Sequence, residues 1–347
     1  MRIRFVTPPL AKQVGGIENA VEGLREALHG RGIEVVDGGN ADDTEVLHHF
    51  HGLWDLAHSR LAGQLRKKGM AYVVSPHGML EPWAFRNRRW KKLPYFHLIE
   101  RRFLMGAASL FVTSKMEEEH LHRLLSHPRV VVLPLGARDA REPGYGAARE
   151  LLGWGQSERV MLFLSRVDPK KGVHLLLDAL AQAPEIRASW RLVIVGDGPT
   201  EYLDQLRKTQ NLHGGMLPQI DWVGAVWGEK RWPYIQGADL FLLPTHSENF
   251  GIAVLEALHA GTPVLTTTGT PWRDHSDLEG AFICDPNVES IRDCLRQAVD
   301  RLDGRWSSEE RTNLGAWTSN HFSWSVLASE YEEAYRQVIG ARSKSGE

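Results

Sequence analysis

Strand-like apolar runs alternate with helix-like runs along the whole chain, and this alternation constrains the fold more than any other feature. Strands separated by helices pair in parallel, so the expected class is α/β. In the first half the pattern predicts strands at 3–7, 33–36, 45–49, 71–75, 110–113 and 130–134, with helices at 17–29, 54–68, 88–105 and 115–126. Residues 136–146 are rich in Gly and Pro and lack periodicity, which reads as a linker. A second series follows, with strands at 160–165, 192–196, 220–223, 240–244, 263–266 and 281–284. Its helices are predicted at 172–183, 201–210, 229–236, 252–260 and 288–302, and the chain closes with helices at 309–321 and 325–339. Two Rossmann-like domains follow from this, with ligands expected beyond the C-terminal ends of the strands.

Bulk properties narrow the class. A chain of 347 residues accommodates two domains of ordinary size. No apolar run approaches the roughly 20 residues a membrane span needs, and the opening Met1–Thr7 stretch reads as a first strand, not a signal peptide. Cys284 and Cys294 lack C-x-x-C spacing, which argues against a disulfide framework or zinc site and for a reducing, cytoplasmic compartment. The net charge of −2 hides an asymmetry. Residues 1–150 hold 22 Lys and Arg against 17 Asp and Glu, and the remainder 19 against 26. The basic half is therefore the one with an anionic partner to find.

Several loops carry chemistry. Glu248 and Glu256 bracket S-E-N-F-G-I-A-V-L-E, which follows a strand-like run and opens a helix-like one. A strand-to-helix turn points backbone N–H groups above the sheet, where a diphosphate fits. Were both acids helical, Glu256 would lie about 80° round and roughly 12 Å along from Glu248, suiting two parts of one long ligand. Arg166 and Lys171 lie in the connection after the first strand of the second half, a fork and a compact charge for phosphate oxygens. Gly15-Gly16 follows the first strand, but G-x-G-x-x-G is absent, so a dinucleotide pocket is disfavoured. Gly196 opens the Gly-Asp-Gly-Pro turn, and Val223 lies at a strand end where main-chain groups meet a base edge. His77 sits in Ser75-Pro-His-Gly, an exposed turn after a strand. His48, His49 and His51 raise the question of a metal. Alternation along a strand sends only His49 and His51 to one face, with no local carboxylate or cysteine, so no metal is expected. An acceptor-side role suits them better. Arg86, Arg88, Arg89, Lys91 and Lys92 cluster with Trp83, Phe85, Trp90, Tyr95 and Phe96. Such mixing suits nucleic acid or an anionic membrane surface, and on a helix it is also the mark of a merely solvated face.

Taken together, Gly15-Gly16, Ser75-Pro-His-Gly, Arg166 with Lys171-Gly172, Gly196-Asp-Gly-Pro and His246-Ser-Glu-Asn-Phe-Gly through Glu256 resemble the retaining glycosyltransferases of the GT-B fold marked by E-x7-E, the glycosyl transferases group 1. Gly78-Met-Leu-Glu-Pro-Trp83 and Gly269-Thr-Pro-Trp272 resemble a branch found in bacterial surface-polysaccharide assembly. The resemblance implies an acceptor-binding domain at 1–145, a nucleotide-sugar domain at 146–322, and a C-terminal helix at 323–347 returning to the first. It implies that His77, Arg166, Lys171 and Glu248 are catalytic and that Gly15 and Gly16 close over phosphates. It further implies that Asn249, Phe250, Gly251 and Ile252 face the donor and that Glu256 holds its ribose.

The expected reaction moves a hexose-type unit from a UDP or GDP sugar to a glycan or lipid-linked acceptor hydroxyl, with retention. Arg166, Lys171 and helix-terminal N–H groups would stabilise the leaving phosphate in place of a metal, and no cofactor is expected. Peripheral contact with an anionic membrane is expected through residues 86–92, and no nucleic-acid partner, because the chain is acidic overall. The competing readings are an epimerase on the same fold and a nucleotide-sugar-binding regulator without catalysis.

Overall fold

The computed structural model describes residues 1–8, 15–37, 43, 45–86, 89–137, 144–303 and 306–343. The chain divides into two compact units, Met1–Arg138 with Phe322–Glu347, and Asp139–His321.

The first unit runs β1 (Arg2–Val6), α1 (Gly15–Gly30), β2 (Glu34–Asp37), β3 (Val46–His51), α2 (Leu56–Lys67), β4 (Tyr72–Ser75), α3 (Pro82–Arg86), α4 (Arg89–Tyr95), a π-helical turn Phe96–Glu100, α5 (Arg101–Met105), β5 (Ser109–Val112), α6 (Lys115–His122) and β6 (Val130–Val132). Among the described residues its sheet is parallel, in the order β2-β1-β3-β4-β5-β6. β3 and β4 are buried along their whole length, as expected of strands covered on both faces.

The second unit runs α7 (Gly144–Leu152), β7 (Arg159–Leu164), α8 (Val173–Ala181), β8 (Trp190–Val195), α9 (Thr200–His213), β9 (Gln219–Gly224), α10 (Trp232–Gly237), β10 (Leu240–Leu243), α11 (Ile252–His259), β11 (Val264–Thr267), β12 (Ala281–Cys284), α12 (Val288–Asp303) and α13 (Ser308–Phe322). Its parallel sheet has the order β12-β11-β10-β7-β8-β9, which reverses direction between β10 and β7. α14 (Trp324–Ser343) then belongs to the first unit. The Tyr331 hydroxyl donates to the Leu133 carbonyl at 3.1 Å, and Ala137 N–H to the Phe322 carbonyl at 2.7 Å.

The elements depart from the sequence pattern in four places. The expected helix at 88–105 runs unbroken through 89–105 but is not α-helical throughout: Pro94 lacks an N–H, and a π turn follows just after it. Arg88 lies outside the described residues, as do the side chains of Arg86 and Arg89. Gly15 and Gly16 form the first turn of α1 instead of a turn ahead of it. The expected linker at 136–146 ends in a helix, because α7 carries a hidden anchor. Arg149 is fully buried, donating to the carbonyls of Gly237 at 2.8 Å, Gly155 at 2.6 Å and Glu158 at 2.7 Å, and pairing with Asp239 at 3.1 Å. Such a guanidinium is tolerated inside because its two terminal nitrogens are met by carbonyls and by the Asp239 carboxylate. Finally, Glu248 lies in a loop outside α11, so the helical geometry expected between it and Glu256 does not apply.

Candidate functional site

In the second unit the strand order puts two loops side by side. β7 and β10 are neighbours where the order reverses, so the connections after them leave the same edge of the sheet together. After β7, the Asp168 side chain caps a 3₁₀ turn, Pro169–Lys171, by accepting from Lys170 N–H at 2.9 Å. Gly172 then turns into α8 at φ 75°, a left-handed conformation that a side chain disfavours. A Cβ there would also overlap the Pro244 carbonyl, so glycine lets the two loops approach. His246 N–H and the Thr245 hydroxyl both donate to the Lys170 carbonyl, at 2.8 and 3.0 Å.

The result is that Lys171 and Glu248, 77 residues apart, form an ion pair between Nζ and Oε1. Both side chains are largely shielded from water, so each charge depends on its partner. Gly251, at φ 75°, opens α11 without a side-chain cap, and the first-turn N–H groups of that helix form its positive end. Asn249, Phe250 and Ile252 lie in or directly beside this turn.

Other expected residues fall elsewhere. Arg166 is not drawn into the pair: its side chain is 64% exposed and faces Asp168 at 3.7 Å. Glu256, on α11, is 4% exposed and accepts a hydrogen bond from Arg231 at 2.5 Å. Arg231 ends a 3₁₀ turn, Gly228–Arg231, following β9, and nothing in its sequence surroundings marks it. Gly196 closes β8, its N–H donating to the Gly224 carbonyl at 2.8 Å, and Val223 is exposed at the end of β9.

In the first unit, β3 and β4 assemble a histidine array. His49 and His51 alternate onto one face, their rings 3.9 Å apart. His51 Nδ1 lies 3.0 Å from His77 Nε2, so one ring donates to the other, and the two rings stack. His49 bridges Ser75 Oγ at 2.8 Å and the Tyr335 hydroxyl of α14 at 2.7 Å. Burial pushes all three rings down, His77 to about 4 and the other two well below the usual value, and for His49 and His51 the like charges of neighbouring groups add to this. The array is therefore neutral at physiological pH. Among the described residues no group of three or more His, Cys, Asp or Glu is arranged to hold a metal ion.

His77 itself has φ 52°, and the following Gly78 N–H donates to Glu117 Oε1 at 2.5 Å. The other Glu117 oxygen accepts from Thr113 N–H at 2.7 Å and the Thr113 hydroxyl at 2.9 Å. Ser114-Lys-Met-Glu117 has the spacing of a helix capping box, and Ser114 does cap α6, but the Glu117 carboxylate holds the histidine turn as well. Sequence reasoning missed Glu117, Arg231 and Tyr335. Only Glu117 left a signal, and that signal named a different job.

Residues 147–313 match the model of glycosyl transferases group 1, and residues 45–136 that of a glycosyl transferase 4-like domain. A phosphatidyl-myo-inositol mannosyltransferase of Mycobacterium leprae is 31% identical over 202 residues, covering 57% of this chain and 52% of the relative. The chain spans about half the length of the curated relatives it matches. Sucrose-phosphate synthase from Thermosynechococcus elongatus superimposes with a TM-score of 0.75 at 19% identity, covering 98% of this chain and 99% of the other. Anabaena Alr3699/HepE, solved in complex with UDP, does so with a TM-score of 0.73 at 17% identity over 97% and 100%. At such identities the likeness is one of fold, the GT-B pairing of two parallel α/β units. The second unit thus carries a glycosyl transferases group 1 domain and the first a glycosyl transferase 4-like domain, and the chain is a glycosyltransferase by family.

Proposed function

We propose that the chain is a retaining glycosyltransferase that moves a hexose-type sugar from a nucleoside diphosphate, UDP or GDP, to a glycan or lipid-linked acceptor hydroxyl. The observation that carries this is the Lys171–Glu248 pair beside the Gly251 turn of α11, at the reversal point of the second sheet. As the glycosidic bond breaks, negative charge gathers on the diphosphate and positive charge on the sugar. Lys171 and the N–H groups of the turn stabilise the first. Glu248 engages the sugar, and its pairing with Lys171 places the two ends of the bond against opposite charges. Arg166, exposed on the same loop, is free to swing onto the diphosphate when it arrives. Glu256 receives the ribose while held by Arg231. The leaving phosphate oxygen accepts the acceptor's proton on the same face, so no protein nucleophile is required.

The first unit takes the acceptor beside the neutral His77, the one ring of the array that is not fully buried, while His49 and His51, at 0% and 1% exposure, lie behind it and do not reach an acceptor. A surface-polysaccharide acceptor carried on a lipid accords with one further feature. Residues 82–106 contain a single acid, the buried Glu100, while Trp90 and Leu98 are 74% and 76% exposed, and Lys91 lies 4.7 Å over the Trp90 ring. Among the described residues no helix is long and apolar enough to cross a membrane, and exposed apolar side chains among cations suit a peripheral contact with an anionic one.

The test is a thermal-shift screen against UDP-, GDP-, ADP- and dTDP-sugars. A ligand at 100 times its Kd adds about 2.7 kcal/mol, a readily visible shift, and silence with every nucleotide overturns the reading. Activity that survives EDTA supports charge stabilisation by Lys171 and Arg166, and loss of activity with EDTA refutes it.

A further inference from the structure

We propose that Trp272 is a positioning residue for the donor turn, acting through the Phe250 carbonyl; this rests on the reading that the turn takes a nucleoside diphosphate sugar. The turn from Glu248 to Ile252 enters α11 through Gly251 and has no side-chain cap to fix it. The loop after β11 holds it at both ends. Glu248 N–H donates to the Gly269 carbonyl at 2.9 Å, and Trp272 Nε1–H donates to the Phe250 carbonyl at 2.8 Å. Trp272 is 2% exposed in the 3₁₀ turn Pro271–His275, edge-on to the Phe250 ring at 5.8 Å. A Cβ on Gly251 would lie 3.3 Å from its Nε1, so the indole sits directly against the turn.

The consequence follows from the planarity of the peptide. In a trans peptide the C=O of one residue and the N–H of the next point in opposite directions. An indole that fixes the direction of the Phe250 carbonyl therefore fixes the direction of the Gly251 N–H, one of the groups that would meet the diphosphate. The loop that carries Trp272 is itself keyed into the site. The Thr270 hydroxyl donates to the Thr267 carbonyl at 2.9 Å, and the Thr267 hydroxyl to the Thr245 carbonyl at 2.5 Å. Thr245 in turn donates to the Lys170 carbonyl. The loops after β7, β10 and β11 thus form one hydrogen-bonded unit, in which Gly269-Thr-Pro-Trp272 aims the turn that Lys171 and Glu248 flank.

The experiment compares the wild type, Trp272→Phe, and a variant with the Trp272 indole replaced by its benzothiophene isostere, which keeps the shape and loses the N–H. Binding of UDP and GDP is measured by calorimetry, and donor and acceptor KM and kcat by steady-state kinetics. For the isostere, the donor KM and the nucleotide Kd each rise about tenfold, the scale of one hydrogen bond to a charged group. The acceptor KM stays within twofold, and the ligand-free Tm falls by about 2–4 °C, the scale of one lost buried hydrogen bond. If Trp272→Phe does not fold, the isostere carries the test alone. An isostere with wild-type nucleotide Kd, or with donor and acceptor KM raised equally, overturns the proposal. A wild type that binds neither nucleotide removes the donor reading and this inference with it, and is seen before any substitution is made.

Discussion

In the first unit the polar residues at the strand ends are neutral, and in the second they are ions. His49, His51 and His77 are stripped of charge by burial; His49 bonds Ser75 and Tyr335, and His51 bonds His77. Lys171 and Glu248 keep their charges in a shielded place by pairing. The turns differ in the same sense. The second unit enters α8 and α11 through glycines at positive φ. The first unit places Trp54 and His77 at φ 67° and 52°, a conformation that costs a non-glycine residue about 1–2 kcal/mol. Each of these turns is held by a buried acid: Trp54 N–H donates to Glu100 at 2.8 Å and Gly78 N–H to Glu117. Glycine makes a turn free of strain but leaves its direction to the surroundings. A side chain at positive φ keeps its chemistry in the turn and requires a clasp elsewhere.

The contrast can be broken from either side. The largest effect is expected at the ion pair: Lys171→Ala should lower turnover by about two orders of magnitude, the scale of losing one charge-stabilising group. Steady-state kinetics at saturating donor reads this, and unchanged turnover removes Lys171 from the chemistry. Next comes the clasp. Glu117→Ala strands the Gly78 and Thr113 N–H groups in the interior and should cost about 2–3 kcal/mol in urea unfolding; a loss under 0.5 kcal/mol would mean that the His77 turn holds itself. Gly251→Ala should destabilise by about 1 kcal/mol and weaken nucleotide binding. If it proves neutral in both, the positive φ of that turn has no bearing on the donor.

The smallest effect sharpens the electrostatic half. The folded state holds His77 at about 4, below its usual 6.5, so the unfolded chain binds the extra proton between those values. Its contribution is complete above pH 6.5 and is lost as pH falls toward 4. Glu117 and Glu100 run the other way. Burial raises both from 4.5 to about 7, so their contribution is complete below 4.5 and lost as pH rises through 7. His77→Gln should therefore shrink the fall in stability between pH 7 and pH 5. Chemical denaturation at the two pH values checks it, and an unaltered fall would mean that the array is not held neutral.

What the sequence disclosed depended on whether residues spoke through neighbours along the chain or across the sheet. The parallel α/β architecture was legible because burial on both faces leaves continuous apolar runs, as at Val160–Leu164 and Leu240–Leu243. Lys171 and Glu248 were legible as loop residues after strands. Their pairing became visible only with the strand order, which makes β7 and β10 neighbours. The alternation of His49 and His51 onto one face was a matter of strand geometry and holds. Tyr335 could not be found that way, since no local pattern ties it to a histidine 286 residues earlier. The helix across 88–105 was legible and holds over 89–105, but a pattern of cations and aromatics says nothing about the π turn that follows Pro94. The helix beginning at Lys115 was legible, but not the part its Glu117 plays. That the same carboxylate reaches Gly78 depends on β4 and β5 lying side by side.

The return of α14 to the first unit has a consequence for the order of synthesis. Residues 139–321 belong to the second unit, and the partner of His49 lies beyond them at Tyr335. A ribosome adds roughly 5–20 residues per second. The strands bearing His49 and Ser75 therefore wait many seconds, through the making of the entire second unit, before that hydroxyl exists. The unit that leaves the ribosome first is the last to be finished.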